Sequence, residues 1–137
     1  MVRQMSSAAR RFCGVNMLVD AYDDDIALRG YVLHHFLHLI TPLERRVTEY
    51  IAPIVSNSDN EKVRKLYAFL EERDGHVDDD AVAAAFQTTL VERRAQAVER
   101  ILATRRNEIV ENRCEKCNRL ARTPAARQCL WCGHDWH

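Results

Sequence analysis

Two Cys-x2-Cys pairs, Cys114 with Cys117 and Cys129 with Cys132, stand eleven residues apart near the end of a 137-residue chain. No other feature limits the fold so tightly. Each pair can wrap two thiolates around one ion, and a hairpin that brings the pairs together completes a tetrahedral four-sulfur shell. Such a shell leaves no position for water or substrate, so the pattern specifies an ion that holds shape rather than one that catalyses. A segment this short has almost no core of its own and folds with its ion or not at all.

The flanks agree with two metal knuckles. Gly133 follows the second pair and Asn118 holds the equivalent place in the first. Glycine, and next to it asparagine, tolerates the positive φ that turns peptide N–H groups toward the sulfurs. Pro124 supplies a turn in "RTPAAR", with short strands expected over 120–122 and 127–128. The segment resembles the short zinc ribbons found at the ends of many bacterial proteins, in which CxxC, a hairpin and CxxCG bind one structural zinc. That resemblance covers about 24 of the 137 residues and implies a small β-hairpin and one Zn2+ per chain, held by Cys114, Cys117, Cys129 and Cys132, but no particular activity. It departs from the usual pattern at Asn118, where glycine is customary, and at Glu115, where proline is frequent.

Iron competes for the same cage. Rubredoxin-like sites also use two CxxC pairs, and a helical body followed by such a site looks superficially like rubrerythrin, which builds a di-iron centre from carboxylates and Glu-x-x-His motifs. No Glu-x-x-His occurs in this chain. His134 and His137 lie beside the second pair, but four sulfurs already fill the shell. Cys13 stands alone and is expected to be a small buried hydrophobe.

The N-terminal sequence lacks the pattern of a secretory signal, and no apolar run reaches the roughly 18 to 20 residues that cross a bilayer. Metal-bound rather than disulfide-bonded cysteines in a cytoplasmic protein are therefore expected, with no membrane partner.

Low glycine and proline content favours long helices, so the fold class is mainly α. The domains expected are a helical body over 1–112 and the ribbon over 113–137. The stretch 1–20 has no clear period, with "VNMLVD" as a short strand or a helix start. "DDDIALRGYVLHHFLHLI" reads as a helix with acids at its N-terminal end, apolar nearly all round from Tyr31 to Ile40. "TPLE" at 41–44 joins a cap, an N1 proline and a capping-box glutamate, and starts a helix running to about Val55. Ser58 with Glu61 repeats the spacing and starts another, with Val63, Leu66, Tyr67 and Leu70 on one stripe and Gly75 as the stop. From 78 to 111 a helical pattern runs without Gly or Pro, and some 33 residues at 1.5 Å each would span roughly 50 Å. A domain of this size is about 35 to 40 Å across. The helix must kink near "TRRNE", project outward or pack against a second copy. A long helix that projects, leads into the ribbon and pairs with a second copy is the favoured expectation.

The chain carries no net formal charge, which excludes a general attraction to nucleic acid or membrane. Charge is unevenly spread, however, and the cationic end is the cysteine end. Arg113, Lys116, Arg119, Arg122 and Arg127, with Trp131 and Trp136 as stacking platforms, could contact DNA, RNA or a protein partner. His34 and His38 are one helical turn apart, a spacing that can chelate a second metal, although core or interface histidines explain them more simply. The "ERR" runs at Glu44 and Glu92 read as solvated helix faces. Nothing supports catalysis: there is no phosphate loop, nucleophile elbow or informative Cys-His spacing. A non-enzymatic interaction protein with a structural metal is the function expected.

Overall fold

The structure is a computed structural model and describes residues 22–136. The "VNMLVD" stretch, Cys13 and His137 lie outside the described residues. Among the described residues five α-helices are formed: α1 (Asp24–His35), α2 (Pro42–Glu49), α3 (Glu61–Asp74), α4 (Asp79–Ala85) and α5 (Leu90–Thr104), with 3-10 turns at Leu37–Leu39 and Arg106–Glu108. Two compact units divide them. Arg29–Glu111 form a helical unit, and residues 22–28 with 112–136 form the other.

Capping chemistry sets most helix starts. Asp23 accepts the N–H of Ile26 at 3.0 Å at the head of α1. Thr41 and Glu44 close a capping box on α2 with Pro42 in the first turn, as the sequence predicts. Helix α2 stops at Glu49 rather than Val55, because Pro53 cannot donate to the Glu49 carbonyl and its ring would strike it. Asn60, not Ser58, caps α3 by accepting from Lys62 N at 2.9 Å, while Ser58 Oγ accepts from Asn60 N. Gly75 ends α3 with φ 94°.

The single long helix expected over 78–111 does not form. Asp78 caps α4, the helix ends at Ala85, and the chain turns through Phe86–Gln87–Thr88 before Thr89 becomes extended and closes a second capping box with Glu92. Arg93 locks the break: it donates to the Val47 carbonyl at 2.7 Å and to the Thr88 carbonyl, with its guanidinium 4.0 Å from the Phe86 ring centre. Without the long rod, the length-based reason for self-association disappears.

In the helical unit α2 packs on α4 and α5. Val47, Val77 and Val82 form one cluster, against which Leu43, Val55, Ala85 and Phe86 pack. Ile54, Tyr67 and Leu70 form another, joined by Tyr50, Val63 and Leu66, which is the stripe read from the sequence. The "ERR" runs are not simply solvated. Glu44 and Glu92 serve the two capping boxes, and Arg46 and Arg93 are buried. The stretch from Tyr31 to Ile40 is not buried all round: Tyr31, Val32, Phe36 and Leu39 face inward, whereas Leu37 is half exposed and His34 and His38 are exposed.

Candidate metal centre

Cys114, Cys117, Cys129 and Cys132 offer four sulfurs that all lie within 4.8 Å of one another. The Sγ atoms of Cys114 and Cys132, and those of Cys117 and Cys129, are 3.6 Å apart. A disulfide would need about 2.05 Å. Four sulfurs at about 2.3 Å from one ion form a tetrahedron with edges of about 3.8 Å, so this set is dimensioned for a metal.

Each pair is positioned by the same local device, repeated fifteen residues on. In the first knuckle Asn118 N donates to Cys114 O at 2.8 Å and Cys114 N to Arg119 O at 3.0 Å. In the second, Gly133 N donates to Cys129 O at 3.0 Å and Cys129 N to His134 O at 2.7 Å. Ala121 N to Asn112 O and Trp136 N to Arg127 O close the two outer ends. The turn residues have φ 59° at Asn118 and 73° at Gly133, the positive values expected of them. The chain thus contains a structural repeat in which only the cysteines are shared by sequence.

The strands expected over 120–122 and 127–128 do not pair into a hairpin. Among the described residues there is no strand, and each knuckle instead carries its own isolated antiparallel bridge, Arg113 with Leu120 and Gln128 with Asp135. The connecting loop makes the expected turn, with Ala126 N donating to Thr123 O at 3.2 Å across Pro124. Asn112 holds it from beneath by donating to the carbonyls of Thr123 and Ala126 at 3.1 and 2.8 Å.

The environment of the sulfurs favours thiolate at two positions. Burial raises the Cys129 thiol, but the N–H groups of Cys132 and Trp131 outweigh it and hold the group at about 7. Cys114 is likewise lowered, burial being opposed by N–H donors of Cys117 and Lys116. At Cys117 the Arg119 N–H works downward, yet burial and the neighbouring sulfurs push the thiol up to about 11. Four thiols so close cannot all ionise by themselves; a bound cation would remove that conflict.

Residues that the sequence does not associate with the knuckles complete this unit. Tyr22 Oη accepts from Leu120 N at 3.0 Å and donates to Asp24 at 2.5 Å, and its ring meets Trp131 edge-on with centroids 4.9 Å apart. Arg119 lies over both rings, at 5.3 Å from Tyr22 and 5.5 Å from Trp131. Arg113 pairs with Asp24. Arg113 and Arg119 are thus engaged within the unit; Lys116, Arg122 and Arg127 are exposed. Trp136 is half buried and stacked on His134.

Among the described residues, no second group of three His, Cys, Asp or Glu ligands is brought together, so His34 and His38 gain no carboxylate or third ligand. The α-helix also ends at His35, placing His38 in a 3-10 turn and cancelling the one-turn spacing. No helix among the described residues is long and apolar enough to cross a membrane. Comparison with protein-family models, curated proteins and solved structures returns no match.

Proposed function

We propose that this chain is a non-enzymatic zinc protein in which one Zn2+, held by Cys114, Cys117, Cys129 and Cys132, fixes a small module that docks a protein partner. The observation that carries the metal assignment is the convergence of four sulfurs, paired at 3.6 Å. Four thiolates saturate the ion, so its contribution is folding free energy rather than chemistry. Zinc is preferred to iron on the likeness of the CxxC…CxxCG spacing to structural zinc ribbons.

Support for a protein partner comes from the second knuckle, where Leu130 is 63% exposed at the tip beside Trp131. Tryptophan is among the residue types enriched at interfaces, and the exposed leucine beside it adds apolar surface for a partner to cover. Nucleic acid is the second reading, carried by the exposed Lys116, Arg122 and Arg127. It is weaker, because three bases make a small electrostatic footprint.

Purification from cells supplied with both metals, followed by elemental analysis, tests the assignment. One equivalent of zinc per chain, lost in the Cys117→Ser variant, is expected; a coloured, iron-loaded protein or a metal-free one contradicts it. A low-salt mobility shift with DNA or RNA would move the function to the second reading.

A further inference from the structure

The helical unit carries a groove that none of the preceding chemistry uses. One hollow, of about 310 Å3, is lined by Gly30 and Leu33 of α1 and by Val91, Arg94, Ala95 and Val98 of α5. A second, of about 250 Å3, has Leu33, Leu37 and Ile40 among its walls, with Thr48, Glu49 and Arg94 as polar members. Leu33 and Arg94 belong to both, so the hollows adjoin. Their rims expose apolar surface: Val91 is 75% exposed and Leu37 48%.

Two observations say what fits there. Gly30 lies in the middle of α1, where glycine weakens a helix, yet a Cβ added to it meets nothing within 4 Å and its φ is not positive. Among the described residues, neither packing nor backbone geometry calls for glycine at that position. A bare patch of helix is what allows a second backbone to come close. The charge is the other observation. Arg94 is exposed and, among the described residues, its guanidinium reaches the Thr48 carbonyl at 3.5 Å, the outer limit of a hydrogen bond. Arg29, by contrast, is paired with Glu99. Among the described residues Arg94 forms no ion pair, and it stands where the two hollows meet. The Glu49 carboxylate in the wall of the second is engaged by Arg45 at 3.8 Å and Arg73 at 3.4 Å.

We propose that the groove receives an amphipathic helix of a partner protein, with apolar side chains one turn apart seated in the two hollows and an Asp or Glu between them meeting Arg94. A single-tailed anionic amphiphile fits less well, since its charge lies at one end whereas Arg94 has apolar side chains of both hollows on either side of it, Val91 and Val98 in one and Leu37 and Ile40 in the other. The docking site lies within the helical unit alone, and it does not depend on the metal assignment.

The test selects a displayed library of randomised, helix-forming peptides on the full chain. Enriched sequences should share apolar residues at one-turn spacing with an acid between them. A synthetic peptide of that sequence should bind the wild type and lose about tenfold in affinity or more against Gly30→Leu, for whose first side-chain carbon there is open space, and against Arg94→Glu. Replacing the peptide's acid by lysine should restore binding to Arg94→Glu. Metal content and helical melting of both variants are measured alongside, so failure here is distinguishable from failure of the zinc assignment. Should Gly30→Leu misfold, the Arg94 charge swap decides alone. No enrichment, selected peptides that bind Gly30→Leu and Arg94→Glu as well as wild type, or sodium palmitate binding with the expected Gly30 and Arg94 dependence where no peptide does, would overturn the proposal.

Discussion

Arg113 and Asp24, 89 positions apart in sequence, form a two-pronged ion pair in which the guanidinium donates to one carboxylate oxygen at 2.7 Å and to the other at 3.0 Å. Tyr22 donates to the same carboxylate and accepts from Leu120. The cysteine knuckles are thereby stitched to the start of α1, so whatever binds the sulfurs also fixes Tyr22 and Asp24. A metal here would organise two distant stretches of chain rather than only its own loops.

The stitch should be uneven in strength. Asp24→Asn removes an exposed ion pair and is expected to cost about 0.5 kcal/mol. Tyr22→Ala removes the edge contact with Trp131 and the acceptor of Leu120 N–H, and is expected to cost about 1 to 2 kcal/mol. Denaturant unfolding followed by tryptophan fluorescence checks both, because Trp131 and Trp136, the chain's two tryptophans, both fall in the cysteine segment.

Asn118 and Gly133 should answer oppositely to substitution. Asn118, at φ 59°, is the one described non-glycine residue with positive φ, so Asn118→Gly relieves strain and should be neutral or slightly stabilising. Gly133→Ala forces a Cβ into the same region and should cost about 1 to 2 kcal/mol. Competition of each variant with a chromogenic zinc chelator reads the difference as weaker metal retention in Gly133→Ala alone.

Much of this was legible in the sequence because the determinants are local. The convergence of the four cysteines follows from spacing, the positive-φ turns from Asn118 and Gly133, and α2 from the "TPLE" cap. The broken helix has a local signal too, since "TLVE" at 89–92 is a capping box of the same form as "TPLE". An unbroken 3.6-residue period hid it, because α4 and α5 each keep that period on their own side of the turn. The Tyr22–Asp24 support had no local signal: partners at such separation are set by tertiary packing. The strands failed for a related reason, since each knuckle satisfies its own backbone and leaves little for the opposite one to pair with.

The cap at the break makes a direct prediction. Thr89→Ala should lower helical stability by about 1 kcal/mol, seen as a fall of several degrees in the far-ultraviolet circular dichroism melt. Tryptophan fluorescence should change little under the same substitution.

Tyr67 gives the helical unit a pH signature. Its hydroxyl donates to Glu71 at 2.7 Å, and that bond, with burial, pushes the phenol up to about 12. Its contribution is complete below the unfolded phenol value of about 10 and is lost as pH climbs through the folded value. Glu71 is held below its ordinary value by the same hydroxyl and by His76, so its contribution fades as pH falls below the carboxylate range. The difference in melting temperature between wild type and Tyr67→Phe should therefore be widest near neutrality and should close both above pH about 10 and in acid. A difference independent of pH would show that the hydroxyl–carboxylate bond is absent in solution.

X-ray absorption at the metal edge on the purified chain tests the central claim most directly. Four sulfur neighbours at about 2.3 Å around zinc, with no oxygen or nitrogen in the shell, is the predicted spectrum. A mixed shell with a light-atom ligand, or fewer than four sulfurs, would contradict a saturated ion held by Cys114, Cys117, Cys129 and Cys132.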